Sequence, residues 1–366
     1  MVSLYFHIPY CRKKCPYCHF YVIKPTQVDR FHEALKLEWQ KRQPLIQDKK
    51  ITSIYFGGGT PSLIDPKCIE EILQLTGQGE EITIEANPED ITPELMETYL
   101  KMGINRLSIG VQSLHDATLK TIGRAHSAQK AINAIHTAKT AGFNNITIDL
   151  MYDLPHQTPP SWEHTLKQLY DLPISHVSLY NLTFEEPSVF HRKQRALQPH
   201  LPSEDDSLKM LQSAIKTLEE IGLKRYEISA FGQPSVHNTG YWIGRPFLGF
   251  GPSAFSYWDG RRFRNAANLV KYAEALESDK PWVDFTEKLS PEAHQREMLA
   301  IGLRLTEGVN PQTFQQRYGS FSSELKLQLA QLQKNTYLTV SELLKLTSKG
   351  QLFYDTVASE IISIDN

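Results

Sequence analysis

Hydrophobic and polar residues alternate with two different periods along the first 230 residues. Short β-rich runs such as SLYFHI, ITSIYF and EITIEA are each followed by a segment whose apolar residues recur every three to four positions. The runs predict strands and the periodic segments predict amphipathic helices. About six such strand–helix units follow one another with short connections, and a further β-rich run, YEISAF, follows the last helix. This alternation predicts parallel strands joined by right-handed helical crossovers.

Polar and glycine-rich motifs stand where these strands end. They are the cysteine run from residue 11, GGGTP, EANP, GVQS and DLMYDLP. In (β/α) barrels the functional residues lie at the carboxyl ends of the strands, and no G-x-G-x-x-G fingerprint follows the first strand to favour a dinucleotide-binding sheet. We therefore predict an α/β fold, with a partial (β/α)6 barrel over residues 1–230.

The pattern changes after residue 230. Residues 231–283 are rich in Gly, Pro and aromatic side chains without a clear period, which indicates a connecting segment that contributes to a pocket. From residue 284 to 366 the helical period returns, with a short strand-like run near the end. We predict a small, mostly helical, winged-helix-like C-terminal domain. Its acidic and basic residues alternate, which favours a structural or partner-binding use over nucleic-acid binding.

Composition narrows the class of protein. The chain has 366 residues, 40% of them hydrophobic, and a formal net charge of −2, so no basic field indicates nucleic acid as a partner. The first residues lack the features of a signal peptide, and no apolar run reaches bilayer length. We expect a cytoplasmic protein, in which structural disulfides are rare and clustered thiols bind metal or react.

Candidate chemistry is concentrated in HIPYCRKKCPYCHFY, which holds three of the four cysteines: Cys11, Cys15 and Cys18. Several interpretations are open. The run contains a C-x-x-C dithiol, a C-x-x-C-H signature of c-type heme, and a zinc set completed by His19. A fourth interpretation is an iron–sulfur site with one iron left open, and a fifth is a basic, aromatic loop without metal. Cys68 stands alone in a helical segment and is expected to pack against the core.

The surrounding residues rank these interpretations. The dithiol and the heme attachment both leave Cys11 without a role, and Cys18 and His19 are adjacent, whereas zinc ligands usually come from two separated knuckles. A cubane cluster normally takes four thiolates, and C-x3-C-x2-C supplies three. The fourth iron would then be open to a ligand, and soft thiolates suit iron–sulfur chemistry.

The cysteine spacing, together with GGGTP after the second strand, resembles the radical S-adenosylmethionine (SAM) superfamily. The resemblance implies a [4Fe-4S] cluster held by Cys11, Cys15 and Cys18, with SAM chelating the open iron. It also implies that SAM is contacted by the glycine-rich turn, through Gly58, Gly59 and Thr60. Glycines there allow the backbone to approach a ligand closely.

The motifs YFHIPYC, YFGGGTPSLI, TIEANPE, GVQS, GRAH and IDLMYDLPHQT resemble the coproporphyrinogen oxidase-like branch of that superfamily. By position, this resemblance implies further SAM-site residues: Tyr5, Tyr17, Glu85, Gln112, Arg124 and Asp149. The oxidases carry a fourth cysteine two residues after the third ligand, where this chain has Phe20, and an N-terminal extension. Both departures are typical of the HemW-type heme chaperones in the same branch.

The motif HNTGYW resembles the H-N-x-x-Y-W sequence associated with heme binding in that group. It implies heme contacts from His237, Asn238, Tyr241 and Trp242, because imidazole is a common heme-iron ligand and aromatic rings pack on a macrocycle. Candidates for contacts to the heme propionates are Arg245, Arg261 and Arg262.

Three functions follow from the resemblance. The first is a heme chaperone with a [4Fe-4S] cluster and exchangeable SAM, which passes heme to an unidentified acceptor, membrane-associated proteins included. The alternative is an oxygen-independent coproporphyrinogen III oxidase, in which SAM-dependent chemistry decarboxylates propionates. The third is a cluster-binding regulatory or scaffold protein. Whether the protein is an enzyme stays open.

Overall fold

The computed structural model describes residues 1–363 and forms a twelve-stranded sheet and a smaller helical region. The predicted series of parallel strands is confirmed, because six strands pair in chain order, each parallel to the next. These strands are β1 (Val2–Ile8), β2 (Ile51–Gly58), β3 (Glu81–Ala86), β4 (Arg106–Gln112), β5 (Ile146–Tyr152) and β6 (His176–Asn181). The sheet is open at both ends of its strand order.

Helices follow each strand, and the longer ones lie where the 3.6-residue period predicts them, whereas the short helices at 116–121, 189–192 and 194–197 were not predicted. They are α1 (Val28–Arg42), α2 (Pro66–Thr76), α3 (Pro93–Lys101), α4 (Asp116–Thr121), α5 (Ala128–Ala141), α6 (Pro159–Lys167), α7 (Val189–Arg192), α8 (Gln194–Leu197) and α9 (Glu204–Glu220). Side-chain oxygens of Thr92, Ser127 and Ser203 accept backbone N–H bonds at the starts of their helices. Cys68 lies half-buried on α2 and packs against the core.

Alternation along the strands separates an apolar face from a polar one. Leu4 and Phe6 of β1 pair in register with Ile54 and Phe56 of β2, and the rings of Phe6 and Phe56 stack at 5.3 Å. The residues between them are polar: Ser3 lies opposite Ser53, and Tyr5 lies opposite Tyr55. The helices cover the apolar face of the sheet, so the polar side chains lie on its other, inner face.

Residues 225–287 extend this sheet in both directions. The elements are β7 (Arg225–Glu227), β8 (Ala230–Gly232), α10 (Val236–Trp242), β9 (Phe247–Phe250), β10 (Phe255–Trp258), β11 (Arg261–Asn265), α11 (Leu269–Glu277) and β12 (Val283–Glu287). YEISAF forms the two short antiparallel strands β7 and β8 next to β6. On the other side, β9 pairs parallel to β1, and β10 to β12 follow antiparallel.

A fully buried ion pair fixes α1 to the strands that follow α10. Glu38 and Arg42 lie 3.1 Å apart and are shielded from solvent. Arg42 donates to the backbone oxygen of Gly249, and Glu38 accepts from the Gly251 N–H, both at 2.8 Å. Asn265 bridges both charged partners at 2.8 Å. A buried ion pair needs such extra hydrogen bonds to offset its desolvation.

The C-terminal region is mostly helical, as predicted, has a two-stranded hairpin where a single short strand-like run was expected, and has its own core. Its elements are α12 (Pro291–Gly302), α13 (Pro311–Tyr318), α14 (Ser323–Lys334), β13 (Leu338–Val340), β14 (Leu344–Leu346), α15 (Ser348–Leu352) and α16 (Tyr354–Ile362). Leu299, Leu325 and Val357 are completely buried in that core. Within residues 1–363, no helix combines the length and the apolar character needed to span a bilayer.

Candidate functional site

The cysteine run forms the loop between β1 and α1, above the carboxyl ends of the strands. The base of this loop is closed by backbone bonds from Cys11 N to Ile23 O and from Ile23 N to Pro9 O, at 2.9 and 2.7 Å. Cys11, Cys15 and Cys18 are half-buried and line a cavity of about 520 Å³. These two bonds join the beginning of the loop to its later part, so the three thiols are held beside the carboxyl ends of the strands.

The glycine-rich turn lies directly beside this loop. The Gly59 N–H donates to Ile8 O at 2.8 Å, and a Cβ on Gly59 would lie 2.7 Å from Tyr10 O, closer than any side chain could fit. Gly58 has a φ of 105°, which favours glycine. The turn thus presses its backbone against the end of β1, and Gly58, Gly59 and Thr60 all line the cavity.

Two carboxylates form the floor of the cavity. Glu85 accepts hydrogen bonds from the Tyr55 hydroxyl at 2.8 Å and from the Gly58 N–H at 3.1 Å. Burial, with the charge of Asp149 as a second cause, raises the pKa of Glu85 to about 7. Burial also raises the pKa of Asp149 to about 6. Both shifts show that a negative charge here is poorly solvated, so a cationic ligand would stabilise it.

A chain of hydrogen bonds connects Arg124 to the cysteine loop. Arg124 Nη2 donates to Asn87 Oδ1 at 2.6 Å, Asn87 Nδ2 donates to Thr60 Oγ1 at 3.0 Å, and Thr60 Oγ1 lies 3.4 Å from Cys11 Sγ. Arg124 Nη1 also lies 3.7 Å from Cys15 Sγ. Asn87 was missed in the sequence analysis, although it belongs to the EANP motif at the end of β3.

The remaining residues expected at the SAM site divide between two places. Tyr17 and Gln112 line the same cavity as the thiols. Gln112 ends β4 with a φ of 68°, a left-handed conformation that is uncommon for a non-glycine residue and occurs at ligand sites. Tyr5 lies instead on the wall of a second cavity, where its hydroxyl is 3.0 Å from His7 Nδ1.

The cavity fits an iron–sulfur cluster and a charged ligand. Three thiols supply soft ligands for iron, while no three His, Cys, Asp or Glu side chains among residues 1–363 converge on a point for one metal ion. Separate thiolates suit a cluster, in which each binds its own iron. Arg124 Nε is buried without a hydrogen-bond partner in the described chain. Arg124, Glu85 and Asp149 line the same cavity, and this combination of a cation with two carboxylates suits a ligand that carries both charges.

A second, larger cavity of about 870 Å³ adjoins the first and has a mainly apolar and aromatic wall. Lys14, His19, Phe20 and Val22 line both cavities. Phe20, the residue at the position of the oxidases' extra cysteine, lines both cavities, so it lies at their junction, where it is 51% exposed. The opposite wall is built by Phe247 and Tyr257 of the extended sheet, which belong to the segment expected to contribute to a pocket, and by Met298 of α12, which the sequence pattern had not singled out.

The four residues of the HNTGYW motif occupy different positions in α10. Tyr241 and Trp242 line the second cavity. His237 is buried, with Nδ1 2.9 Å from Ser53 Oγ and Nε2 2.7 Å from the Tyr241 hydroxyl, so both ring nitrogens are already hydrogen-bonded. Asn238 is half-buried and places its N–H on Ser235 Oγ at 3.2 Å.

The three arginines proposed for propionate contacts also differ. Arg245 lines the second cavity, and its Nη1 donates to Val236 O at 3.0 Å. Arg262 lines it too but forms ion pairs with Glu287 and Glu297. Arg261 is exposed on β11. Of the three, only Arg245 reaches the cavity without a carboxylate partner within residues 1–363.

Family models match both parts of the chain. The model of the radical SAM superfamily matches residues 5–169, and the model of the HemN C-terminal domain matches residues 289–353. Among solved structures, coproporphyrinogen III oxidase (HemN) from Escherichia coli, a radical SAM enzyme, superposes with a TM-score of 0.86 at 25% identity, covering 99% of this chain and 90% of that chain.

Curated relatives match along most of their length. The heme chaperone HemW of Lactococcus lactis is 35% identical over 327 residues, which is 86% of this chain and 85% of the relative. Radical S-adenosyl methionine domain-containing protein 1, mitochondrial, of Danio rerio is 31% identical over 394 residues, covering 98% of this chain and 86% of the relative. The radical SAM family implies a [4Fe-4S] cluster and SAM. The chain belongs to the HemW family of the radical SAM superfamily.

Proposed function

We propose that this protein is a heme chaperone, which holds heme in the 870 Å³ cavity and releases it to an acceptor protein. The observation that carries the proposal is the position of this cavity, directly beside the thiols and separated from them by Phe20. Its volume lies within the range of small-molecule and cofactor sites. A heme chaperone binds heme reversibly, and an open, apolar cavity supports reversible binding.

The lining suits a flat ring with acidic edges. The rings of Tyr241 and Phe247 pack edge to face, with their centroids 4.6 Å apart, and form an aromatic wall for a macrocycle. Trp242 Nε1 has no hydrogen-bond partner in the part of the chain that the structure describes, and Arg245 offers a cation. Of these two groups, Arg245 is the one assigned to a propionate carboxylate, because Trp242 Nε1 is itself shielded from solvent. We assign direct heme contact to Tyr241 and Trp242, with His237 acting through the Tyr241 hydroxyl.

The first cavity is the proposed site of the cluster and SAM. Cys11, Cys15 and Cys18 would hold the cluster, which supplies an iron with an open position for the amino and carboxylate groups of SAM. The backbone of Gly58 and Gly59 would contact SAM closely, and Arg124 and Glu85 would meet its opposite charges. We place the protein in the cytoplasm, with an acceptor protein as its partner and no role for nucleic acid.

Anaerobic reconstitution of the cluster, followed by titration with hemin in the presence and absence of SAM, tests the proposal. We expect saturable binding of about one heme per chain, weakened by Trp242→Ala and by Arg245→Ala. The matched control is Arg261→Ala, since Arg261 is exposed on β11. The absence of saturable heme binding in the reconstituted protein would contradict the proposal.

The similarity to the E. coli oxidase over nearly the whole chain favours a second candidate, coproporphyrinogen III decarboxylation. The same reconstituted protein, supplied with SAM, a reductant and coproporphyrinogen III, distinguishes the two. A chaperone leaves the substrate unchanged, whereas an oxidase converts it to protoporphyrinogen. Formation of that product at more than one equivalent per chain would overturn the chaperone assignment.

A further inference from the structure

Four side chains form a continuous line from one cavity to the other. Glu85 lies on the wall of the thiol cavity and Tyr241 on the wall of the larger one. Tyr55 and His237 lie between them, on the inner face of β2 and on α10. Neither Tyr55 nor His237 lines either cavity, whereas Glu85 and Tyr241 at the two ends of the line do.

The contacts along this line are direct. The Tyr55 hydroxyl donates to Glu85 Oε1 at 2.8 Å, and the Tyr55 ring packs on the His237 ring at 4.9 Å. His237 Nε2 is 2.7 Å from the Tyr241 hydroxyl. The second nitrogen, Nδ1, is tied to Ser53 Oγ at 2.9 Å, so the imidazole is held at both ends.

The backbone beneath His237 is fixed. Glu81 accepts from the N–H groups of His237 and Val236 at 2.9 and 3.0 Å, and from Ser235 Oγ at 3.1 Å. These bonds clamp the start of α10 to β3. A disturbance at Tyr55 therefore reaches Tyr241 through the His237 ring and not through movement of the helix.

We infer that SAM and heme binding are coupled through Glu85, Tyr55, His237 and Tyr241, and that SAM weakens the binding of heme. The inference rests on the proposed function. Glu85 accepts from the Gly58 N–H at 3.1 Å and from the Tyr55 hydroxyl at 2.8 Å, so a donor group of SAM that draws the Glu85 carboxylate towards itself takes the acceptor away from Tyr55. Without that acceptor the Tyr55 ring shifts against His237, and the Tyr241 wall loses its support.

Coupling between two binding sites is reciprocal, and typical values lie between about 5-fold and 150-fold. We expect saturating SAM to raise the dissociation constant of heme by about 5- to 10-fold. Heme then raises the dissociation constant of SAM by the same factor. This equality is a property of linked binding equilibria that a change in protein stability alone does not produce.

The decisive variant is Tyr55→Phe, which keeps the ring and removes only the hydroxyl. The control is Tyr99→Phe, which removes a buried hydroxyl on α3 that has no hydrogen-bond partner within residues 1–363. Hemin is titrated into each reconstituted protein with and without SAM, and SAM binding is measured by equilibrium dialysis with and without hemin. We expect the coupling factor to fall to about 1 in Tyr55→Phe and to stay at the wild-type value in Tyr99→Phe.

Tyr241→Phe breaks the line at its other end and is expected to abolish the coupling as well, which keeps the test decisive if one variant does not fold. Coupling that persists in both variants, that is absent from the wild type, or that has the opposite sign overturns the inference. Heme binding without coupling leaves the proposed function intact. Failure of every protein to bind heme overturns the proposed function and this inference together.

Discussion

Three histidines on the inner face of the sheet and on α10 are buried and hydrogen-bonded. Burial lowers the pKa of His237 to about 3 and that of His7 to about 4, and it lowers the pKa of His176 well below its usual value. In each case the neutral imidazole is the form that the folded protein accommodates. These side chains therefore serve as fixed, neutral hydrogen-bonding groups.

The first prediction concerns acid stability. The folded-state pKa of His237, about 3, lies below its unfolded value of about 6.5, so the unfolded chain binds the extra proton. The stabilisation is complete above pH 6.5 and is lost as the pH falls towards 3, by up to about 1.4 kcal/mol per pH unit. Replacement of His237 by Gln removes this pH-dependent contribution to the free energy of unfolding. In urea unfolding, the stability gap between wild type and His237→Gln should narrow by about 1 kcal/mol from pH 6.5 to 5.5.

A gap that stays constant over this pH range would contradict the assignment of His237 as a buried neutral residue. The comparison is made with both proteins in the same cluster-loading state, because loss of the cluster at low pH would change stability by itself.

The second prediction concerns the thiols. Replacement of Cys11, Cys15 or Cys18 by Ala should reduce the iron–sulfur absorbance and the acid-labile sulfide to background. The loop supplies only three thiolates, and each would bind its own iron, so the loss of one leaves the cluster with too few ligands. Cys68→Ala is the matched control, since Cys68 lies on α2 against the core. A full cluster in any one of the first three variants would disprove the ligand set.

At the residue scale, the sequence predicts best where a motif is local. The cysteine run is one continuous stretch of the chain and the glycine-rich turn is another, and residues of both line one cavity. The role of His237 could not be predicted, because its partners Ser53 and Tyr241 are set by the sheet and by α10 together. Asn87 follows Glu85 in the same motif, but its use depends on Arg124, a residue from another strand–helix unit.

Among the elements, α10 has the start of its backbone bound by one carboxylate, that of Glu81. Glu81 accepts three hydrogen bonds from residues 235–237 and lies 3.7 Å from Arg106 Nη1. A buried acceptor with several donors is costly to replace. The helix therefore depends on β3 for its position, although the two are far apart in the chain.

The third prediction is that Glu81→Gln lowers the free energy of unfolding by about 1–3 kcal/mol, because one amide oxygen replaces a charged pair of acceptors. Hydrogen exchange should accelerate over residues 235–242. The control is Glu80→Gln, whose exposed partner Lys50 lies 2.6 Å away and whose loss should cost less than about 1 kcal/mol. Equal effects of the two substitutions would refute the proposed anchoring.

Strands and helices were predicted correctly where they are long enough to show a hydrophobic period. The six parallel strands and the helices between them are long enough to show alternation or a helical period. Residues 225–287 form strands of three to five residues between Gly and Pro turns, too short for a period to emerge. The sequence indicated a pocket there but could not show that the segment continues the sheet.

For the whole molecule, the larger cavity exists only because two regions meet. The sheet supplies Phe247 and Tyr257, and the C-terminal region supplies Met298 and Ile301 from α12. Arg304 stacks over Trp242 at 4.3 Å and lies 3.2 Å from Glu227 Oε2, joining the helical region to the sheet. The cavity volume therefore depends on how the two regions pack.

The fourth prediction is that Met298→Trp lowers heme affinity at least 10-fold while the cluster absorbance is retained. A larger side chain at this position fills part of the cavity. Leu327→Trp on α14 introduces the same side chain at a position that is 72% exposed and should leave heme affinity unchanged. Heme titration of both reconstituted variants checks the prediction, and equal affinities would contradict the placement of heme in this cavity.

The buried pair of Glu38 and Arg42 has a consequence for protein synthesis. Its hydrogen-bonding partners lie at residues 249–282, and β1 also pairs with β9. At ordinary translation rates these residues leave the ribosome roughly 10 to 50 s after the first strand. Until then the ion pair on α1 lacks its other hydrogen-bonding partners and β1 lacks one neighbour. The cysteine loop between them is thus completed late, so cluster insertion is expected to follow translation.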